Sequence, residues 1–600
     1  MNVRIAVFRL FPIFLSWVVM TTANNAFAGN SKDANEFNRL VDKYFDFRFQ
    51  FHPKEATAAG FHQYDVKLED YSRASRDGEI SNLRTFGAEL DRIDPAKLPV
   101  GSAGDLVFLR NTIKSRLLDL QTLQIWRKDP NLYISNSTES IFVIIKRNYA
   151  PPAERLRSVI AREQQIPKVL AQARENLANP PKVYTEIAIE QMPGIIDFFQ
   201  KDVPGAFAPS ASKTSGAPES GGPNPLSGSE ISGDLWAGFQ NANAAVVQAL
   251  EDFQQFLRND LLPASRGDFR IGEDNFRKKL SYDEMVDIPL DQLLKIGYDE
   301  LHRNQQQLKE TAALINPAAD PREVLAALER DHPAPGQLLP SFRNLLGDLR
   351  EFIETRKIIT IPSGVLPVLE ETPPFMRATT TASMDTPGAY ESKATEAMFN
   401  VTLPESNWTP AHVEDWMEGF NRGTILSTAI HEAYPGHYVQ FLWVKKLNSQ
   451  IRKLLYCNSN VEGWAHYTEQ MMLDEGYGGG DPKLRMGQLQ DALLRNSRFI
   501  VGIEMHTGKM DQEQARDFFI REGYQVPAVA EVETKRGTVD PTYLVYTLGK
   551  MQIMKLRDDY RKKLGARFTL QDFHDRFMAQ GGVPLTIIRR EMLGDNGPTL

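Results

Sequence analysis

The chain has 600 residues, of which 42% are hydrophobic and 24% are charged, a composition typical of a soluble globular protein. This length is too great for one ordinary core, so we expect at least two lobes or one large, elaborated domain. Its formal net charge of -8 argues against nucleic acid or an anionic membrane surface as the main partner. The single cysteine excludes an internal disulfide and a thiol-rich metal site, so any metal ligands are expected among His, Asp and Glu.

Residues 1–28 have the pattern of a secretory signal peptide. Two arginines precede an apolar run at 10–20, and Ala-Phe-Ala at 26–28 provides the small residues of a cleavage site. We therefore expect a periplasmic or secreted protein that makes no membrane contact after cleavage; a short uncleaved anchor is the alternative. A lipid-anchored export signal would need a cysteine at the cleavage point, and the only cysteine is Cys457.

Most of the following chain is predicted to form amphipathic helices, because apolar residues recur at spacings of three and four. The clearest examples are 35–50, 153–178, 235–258 and 289–313. We predict an N-terminal helical region at 29–205 and a catalytic helical region at 235–600, which carries the motif described below. Between them, residues 206–234 are rich in Ser, Gly and Pro and are predicted to be a flexible linker or surface loop. The two regions could still pack into one body, because a surface insertion is tolerated.

Two segments upstream of that motif have the composition of β-strands. Residues 358–369 are β-branched and interrupted by proline, and 397–403 form a second candidate. A small sheet at this place would offer a free strand edge to an extended peptide. Two irregular loops are the alternative.

His431, Glu432 and His437 belong to the motif HEAYPGH. In zinc peptidases with the pattern H-E-x-x-H, two imidazoles one helical turn apart bind the metal, and the Glu is the general base. Here the two histidines are six residues apart, which places them about 120° apart around a regular helix. Pro435 lacks the N–H that a regular helix needs, and Gly436 permits unusual backbone angles. We therefore expect a two-residue bulge that returns His437 to the face of His431.

Glu462 is the expected third ligand. It would begin a helix after a turn at 458–460, and this helix would pack back against the first one. His466 is the alternative ligand. With Glu462 in that role, His466 and Glu469 lie on the same helix face and would orient the ligands by hydrogen bonds. Three protein ligands leave the fourth position of a zinc ion open for catalysis.

The sequence resembles the bacterial DUF885 proteins, which are placed with the gluzincin metallopeptidases. The resemblance is carried by HEAYPGHYVQ at 431–440, EGWAHYTEQ at 462–470 and PGAYESKATEAMFNVTLPE at 387–405, and it continues from 489 to 593. It implies a mainly α-helical, gluzincin-like fold with a deep central cleft and a small β-sheet near the active site.

The same resemblance implies a set of functional residues. His431, His437 and Glu462 would bind one Zn²⁺ ion, Glu432 would be the general base, and the partner would be a peptide substrate. The expected reaction is zinc-dependent hydrolysis of peptide bonds in short peptides, with Glu432 taking a proton from the attacking water.

Further residues are candidates for auxiliary roles, because gluzincins commonly carry a downstream Tyr or His that stabilises the oxyanion. His506 and Tyr546 are the candidates for this catalytic role. Tyr543, Arg536 and Lys393 are candidates for substrate binding, the two cations through a substrate carboxylate. Aromatic packing of the tyrosines and solvated surface charge on the cations are the alternatives.

Tyr543, Tyr546 and Lys550 are expected on one face of a helix that begins at 540–541. Gly549 of this helix would permit close approach of another backbone.

Two other functions remain open from the sequence. The same ligands could serve a metal-dependent hydrolase of a non-peptide amide or ester, or the motif could be structural in a non-catalytic secreted helical binding protein. The sequence does not distinguish endopeptidase from exopeptidase action, and it does not define side-chain preference or oligomeric state.

Overall fold

The computed structural model describes residues 32–207, 231–377 and 380–600. The predicted signal peptide at 1–28 and most of the predicted linker at 206–234 lie outside these residues. Within the described ranges, no helix is both long enough and apolar enough to cross a membrane.

The predicted mainly α-helical fold class is confirmed. The helices before the small sheet are α1 (Lys32–Phe51), α2 (Pro53–Ala59), α3 (Arg73–Asp91), α4 (Val100–Leu118), α5 (Ile125–Lys128), α6 (Asn131–Ile145), α7 (Pro152–Glu163), α8 (Ile166–Asn176), α9 (Lys182–Asp197), α10 (Val203–Phe207), α11 (Gly233–Phe256), α12 (Leu262–Ala264), α13 (Glu273–Lys279), α14 (Leu290–Ile315), α15 (Pro321–Glu329) and α16 (Leu338–Arg356). Short π-helical segments follow α4, α9, α11 and α13, at Asp119–Leu123, Phe198–Asp202, Leu257–Leu261 and Leu280–Glu284.

The helices after the sheet contain the motif and its surroundings. They are α17 (Pro410–Glu418), α18 (Arg422–Glu432), α19 (His437–Val444), α20 (Gln450–Leu454), α21 (Asn458–Asp474), α22 (Pro482–His506), α23 (Gln512–Arg521), α24 (Pro527–Val539), α25 (Val545–Leu564), α26 (Leu570–Met578) and α27 (Leu585–Leu593). Single 3₁₀ turns lie at His62–Tyr64, Pro95–Lys97, Pro335–Gln337, Pro374–Met376, Tyr477–Gly480 and Gly565–Arg567.

Three of the four clearest helix predictions agree with the structure, in α1, α11 and α14. The prediction of one helix at 153–178 is wrong, because this segment forms α7 and α8 with a break at Gln164–Gln165. Pro167, in the first turn of α8, has no N–H to continue a hydrogen-bond ladder from α7. A proline at the start of a helix is well tolerated, so the break falls just before it.

The small sheet has three strands in the order β1-β3-β2. Strand β1 (Val368–Glu371) pairs in parallel with β3 (Met398–Val401), and β3 pairs antiparallel with β2 (Ala382–Asp385). Strand β2 is therefore an edge of this sheet. The strand prediction at 397–403 is confirmed, and β2 was not predicted.

The strand prediction at 358–369 is wrong for most of its length, since only its last two residues belong to β1. Ile358 and Ile359 are buried in an irregular segment, where they contribute to the core without pairing in the sheet. Pro362 and Pro367 cannot donate hydrogen bonds to a neighbouring strand.

The buried side chains form three clusters, and these clusters cross the boundary predicted at 206–234. The largest joins residues of α1, α3 and α4 to β3, α18, α21 and α27. A second joins α9 to α14, α22 and α25, and a third is built mainly from α6 to α11. The first helices of the chain thus share a core with the helices that carry the motif.

Helices α21 and α25 cross at very short range, at Gly463 and Gly549. A Cβ atom on Gly549 would overlap the carbonyl oxygen of Ser459, and one on Gly463 would overlap the backbone of Gly549. The expectation that Gly549 permits a close approach of another backbone is confirmed. This crossing places the start of α25 beside the second turn of α21, where Glu462 lies.

We predict that Gly549→Ala lowers the free energy of unfolding by about 1–3 kcal/mol, the usual cost of adding a methyl group to a filled core. Gly347→Ala is the matched control, because its Cβ would meet no atom within 4 Å, and this exposed site on α16 should be stabilised by about 1 kcal/mol. Denaturant unfolding of both variants measures the difference. An unchanged unfolding midpoint for Gly549→Ala would show that α21 and α25 do not cross in this way.

Candidate active site

The motif is divided between two helices. Helix α18 ends at Glu432 and α19 begins at His437, and the turn between them contains a cis Tyr434–Pro435 peptide bond. The predicted interruption at Pro435 is confirmed, but the expected bulge within one continuous helix is wrong. The chain leaves the helical path after Glu432 and begins a new helix at His437. Pro435 has no N–H with which to continue the ladder of α18.

Gly436 is the residue that permits this turn. Its N–H donates to the carbonyl oxygen of Ile430 at 3.0 Å, six residues earlier. A Cβ atom at this position would overlap the carbonyl oxygen of His431. No residue other than glycine can therefore occupy position 436 without displacing the turn.

Trp464 of α21 fixes the turn from the other side. Its indole N–H donates to the carbonyl oxygen of Pro435 at 2.9 Å, and the ring is fully buried. Helix α21 begins at Asn458, so the turn predicted at 458–460 is wrong and Glu462 lies in the second turn of the helix.

The turn and α21 together bring His431, His437 and Glu462 to one place. Oε2 of Glu462 lies 3.5 Å from Nε2 of His431 and 3.4 Å from Nε2 of His437. One potential ligand atom from each residue lies within 4.8 Å of the other two. Within the described ranges, the predicted ligands are thus adjacent in space.

These separations fit a shared metal ion better than direct hydrogen bonds. N–H···O hydrogen bonds are usually about 2.9–3.0 Å long. Two ligand atoms bound at ~2.0–2.2 Å to one tetrahedral zinc ion are about 3.4 Å apart. Oε2 of Glu462 is buried and has no hydrogen-bond partner among the described residues, and a cation between the three side chains would satisfy it. The residues present therefore fit a zinc ion.

The electrostatics of the cluster favour a cation. Burial opposes ionisation of Glu462, but the two imidazoles outweigh it and hold the pKa of this carboxyl well below its usual range. Burial likewise opposes the charged form of His431, but Glu462 and Glu469 outweigh it and raise the pKa of His431 to about 9. Two carboxylates that stabilise positive charge on one imidazole also stabilise a metal cation at its Nε2.

Glu469 orients His431 from behind. Nδ1–H of His431 donates to Oε1 of Glu469 at 2.7 Å, which leaves Nε2 free to face Glu462. Nδ1–H of His466 donates to Oε2 of Glu469 at 3.0 Å, and Arg495 lies 3.2 Å from Oε1. Burial lowers the pKa of His466 to about 3, so this imidazole is neutral. The predicted orienting role of Glu469 agrees with these contacts, and His466 faces Glu469 and not the ligand cluster.

Glu432 lies at the end of α18, and the backbone N–H of Met384 in β2 is near its carboxylate and favours the ionised form. Thr402 N–H donates to the carbonyl oxygen of Thr381, which makes these two residues a hydrogen-bonded pair. Such pairs alternate along an antiparallel ladder, so the N–H and C=O groups of Ala382 and Met384 point away from β3. In the part of the chain that the structure describes, no strand pairs with this outer edge of β2, which faces Glu432. Burial raises the pKa of Glu432, against the opposing effect of the two nearby histidines.

Of the auxiliary candidates, Tyr546 lies near the cluster of His431, His437 and Glu462. Its ring is nearly parallel to that of His431, with 6.5 Å between the ring centroids. Arg536 donates from Nη2 to the Tyr546 hydroxyl oxygen at 3.0 Å, so the hydroxyl hydrogen remains available for another acceptor. The guanidinium groups of Arg495 and Arg498 lie 5.8 and 5.0 Å from the ring centroid.

His506 is not brought to the cluster. Its Nε2–H donates to the carbonyl oxygen of Gly537 at 2.7 Å, and its ring packs near Phe269 and Phe276. The side chain is fully buried, and burial lowers its pKa to about 4. These contacts correct the catalytic role predicted for His506, because they make it a neutral core histidine.

Tyr543 and Lys393 do not reach the cluster either. Tyr543 is fully buried and packs against Gly502 and Gly537. Helix α25 begins at Val545 and not at 540–541 as predicted, so Tyr543 lies before the helix and does not share a face with Tyr546. Lys393 is exposed, and its backbone N–H donates to Glu391. The substrate-binding roles predicted for both residues are not supported by these positions.

Two groups near the site were not predicted. Arg495 of α22 contacts Glu469, and Met384 of β2 contacts Glu432. A signal for the first was present, because Asp491, Arg495 and Arg498 recur at spacings of four and three and so share one face of the predicted helix. Nothing in the four residues of β2 indicates a strand, so Met384 could not be found in this way.

The comparisons with known proteins define the family. Residues 53–592 match the model of the DUF885 family, described as a bacterial protein of unknown function. The chain belongs to this family.

Two solved structures share this fold. A protein described as a "putative lipoprotein of unknown function" from Shewanella oneidensis has 26% sequence identity and a TM-score of 0.75, over 93% of this chain and 99% of that chain. A "putative lipoprotein" from Colwellia psychrerythraea has 17% identity and a TM-score of 0.76, over 94% of this chain and 98% of that chain. The comparison with curated proteins gives no match.

We predict that Glu469→Gln weakens the binding of Zn²⁺ by about 10–100-fold, the usual effect of losing a group that orients a metal ligand. The substitution keeps the size of the side chain but removes the charge that faces His431. Glu475→Gln, at the exposed end of the same helix, is the control. Competition with a chromogenic chelator measures both affinities, and equal zinc affinity in the two variants would exclude the orienting role.

Proposed function

We propose that this protein is a zinc-dependent peptidase. One observation supports the proposal: His431, His437 and Glu462 converge on one point, and Glu432 directly follows His431 in the sequence. A purely structural metal site usually has four protein ligands, whereas three ligands beside a potential base are typical of catalysis.

A zinc ion held by His431, His437 and Glu462 would supply Lewis acidity for the carbonyl group and the attacking water. Glu432 accepts a proton from that water as the water oxygen forms a bond to the carbonyl carbon. Glu432 then delivers the proton to the amide nitrogen as the C–N bond breaks, which gives a carboxylic acid and a free amine; the acid then ionises to the carboxylate. The hydroxyl hydrogen of Tyr546 is available to donate to the carbonyl oxygen as negative charge develops there.

Strand β2 supports a peptide as the substrate. Among the described residues no strand pairs with the outer edge of β2, which lies beside Glu432, and an extended peptide can add to such an edge through backbone hydrogen bonds. The carbonyl oxygen of Ala382 accepts from the Thr380 hydroxyl at 2.6 Å, so Met384 offers the outward-facing groups for this pairing. A non-peptide amide or ester would make no use of this edge, and a non-catalytic binding protein would make no use of Glu432.

We also propose an exported location for the protein. The support is the leader predicted at residues 1–28 and the description of both similar structures as lipoproteins. Fractionation of the source cells, followed by detection of the mature chain, tests this location.

We predict that Glu432→Gln retains zinc and loses at least about a hundredfold in kcat, the lower range for general acid–base catalysis. The change removes the proton acceptor and leaves the three ligands in place. The measurement is digestion of a mixed peptide library by the zinc-loaded protein, with and without chelator, followed by mass spectrometry. Glu475→Gln serves as the active control.

Three outcomes would contradict the proposal. Equal hydrolysis by Glu432→Gln and the wild-type protein would exclude Glu432 as the base. Hydrolysis that persists after complete removal of metal would exclude zinc. Cleavage of simple amides or esters, with no cleavage in the peptide library, would show that the substrate is not a peptide.

A further inference from the structure

The phenol oxygen of Tyr546 accepts a hydrogen bond from a side chain of another helix. Arg536 in α24 donates from Nη2 to this oxygen at 3.0 Å, and Tyr546 lies in the first turn of α25. A guanidinium group has no acceptor atom, so the hydroxyl hydrogen of Tyr546 cannot point to Arg536. The contact therefore restricts the directions in which Tyr546 can donate its hydrogen.

Two further guanidinium groups lie beside the ring of Tyr546, and carboxylates hold both of them. Arg498 donates to Glu533 from Nε and Nη2, at 2.6 and 2.7 Å. Arg495 lies 3.2 Å from Glu469. Within the described ranges, the Tyr546 hydroxyl has no hydrogen bond to either arginine. These two groups therefore do not orient the hydroxyl.

Arg536 differs from these two arginines in its pairing. Its ion pair with Asp540 has a distance of 3.9 Å, which is longer than the ~2.7–2.9 Å of a charge-assisted hydrogen bond. The side chain is 37% exposed. Among the described residues, the shortest polar contact of the Arg536 guanidinium group is therefore the one with Tyr546.

The backbone that follows Arg536 is fixed by two hydrogen bonds from other helices. His506 of α22 donates from Nε2 to the carbonyl oxygen of Gly537 at 2.7 Å. The hydroxyl of Tyr184 in α9 donates to the carbonyl oxygen of Thr538, also at 2.7 Å. Both donors are buried, so these bonds do not compete with water. They hold the last turn of α24, and they thereby restrict the direction from which Arg536 reaches Tyr546.

The contact also affects the strength of the hydrogen bond that Tyr546 can donate. Hydrogen bonds in a chain polarise one another, so a hydroxyl that accepts from a cation becomes a better donor. The same positive charge favours the negative charge that develops on a carbonyl oxygen when water attacks it. Arg536 can therefore act on the reaction without a contact to the substrate.

We propose that Arg536 is a positioning residue: it directs the Tyr546 hydroxyl towards the carbonyl oxygen of the substrate and does not bind the substrate itself. This inference rests on the proposed peptidase function and deepens it. It replaces the substrate-binding role predicted for Arg536 from the sequence. Because the hydroxyl acts on charge that develops during the attack of water, the contribution of Arg536 belongs to kcat and not to KM.

The first test is a double-mutant cycle on the zinc-loaded protein, with Arg536→Met, Tyr546→Phe and the two combined. We expect kcat to fall by about a hundredfold for Tyr546→Phe, the effect of losing one oxyanion donor, and by about tenfold for Arg536→Met. The combined variant should be no slower than Tyr546→Phe, because Arg536 acts through the missing hydroxyl. A tenfold loss from Arg536→Met in both backgrounds, or no loss in either, would overturn the inference.

Lys535→Met is the matched control. Lys535 precedes Arg536 in α24, its side chain is 32% exposed, and it pairs with Glu190 at 2.9 Å. Within the described ranges it makes no polar contact with Tyr546. The variant removes the same charge from the same helix, so kcat should remain unchanged. An equal loss from both variants would indicate a general effect of charge and would contradict the positioning role.

The second test compares one peptide with a free and with an amidated carboxyl terminus. We expect Arg536→Met to lower kcat by the same factor for both forms, with little change in KM. A loss that is confined to the free form and to KM would assign Arg536 to the substrate carboxylate, and the positioning role would be wrong.

The third test measures binding without catalysis. A phosphinic peptide presents tetrahedral oxygens in place of the attacked carbonyl group, and calorimetry gives its affinity for the four zinc-loaded proteins of the cycle. We expect Arg536→Met to weaken binding by about tenfold in the wild-type background and not in the Tyr546→Phe background. Competition with a chromogenic chelator should give equal zinc affinities for all four. A weaker zinc affinity in Arg536→Met would place its effect at the metal and contradict the inference.

The two proposals can fail separately. If no peptide is cleaved but the phosphinic peptide shows this coupling between Arg536 and Tyr546, the positioning role is supported and the peptidase function is wrong. If peptides are cleaved and the losses of the two single variants multiply in the combined variant, the function is supported and the positioning role is wrong. If peptides are not cleaved and the phosphinic peptide does not bind, both proposals are wrong.

Discussion

The positions of all three candidate ligands depend on how α21 packs against the turn between α18 and α19. Helix α21 supplies Glu462 directly, orients His431 through Glu469 and holds the carbonyl group of Pro435 through Trp464. These groups are buried, so a broken hydrogen bond would leave a buried polar atom with no partner and would cost free energy. One helix therefore fixes the distance between two histidines that belong to two other helices.

The position of α21 is in turn fixed by α25, and the same contact brings Tyr546 to the site. The glycines at the crossing allow the two backbones to touch, so no side chain can tilt one helix against the other. Tyr546 lies at the start of α25, three residues before Gly549, and its ring thereby stands beside His431. The helices around this centre share their core with α1, α3 and α4, so the N-terminal helices contribute to the position of the site.

The residues of the candidate site could be predicted from residue types and spacing, and their geometry only in part. His431, His437 and Glu462 were found because His is rare in this chain and because Pro435 and Gly436 lie between the two histidines. The form of the turn was not predicted, since it depends on contacts with α21 that are distant in sequence. The helical class and β3 follow from local patterns, whereas β2 exists only because β3 pairs with it.

The errors at Tyr543 and His506 have specific physical causes. Each residue added to a helix turns the next side chain by about 100°, so a helix that begins at Val545 and not near 540 changes the face assigned to Tyr543. His506 has the residue type of an oxyanion donor, but its environment is aromatic and fully buried, which no sequence pattern revealed. Arg536 was predicted to bind substrate, and it contacts the Tyr546 hydroxyl, a role that requires knowledge of the space between α24 and α25.

The most direct test of this account is the location of zinc in crystals of the zinc-loaded protein, measured by anomalous X-ray scattering. The account predicts one strong peak per chain at ~2.0–2.2 Å from Nε2 of His431, Nε2 of His437 and a carboxylate oxygen of Glu462. A fully loaded protein whose zinc lies elsewhere, or whose three side chains point away from the peak, would contradict it.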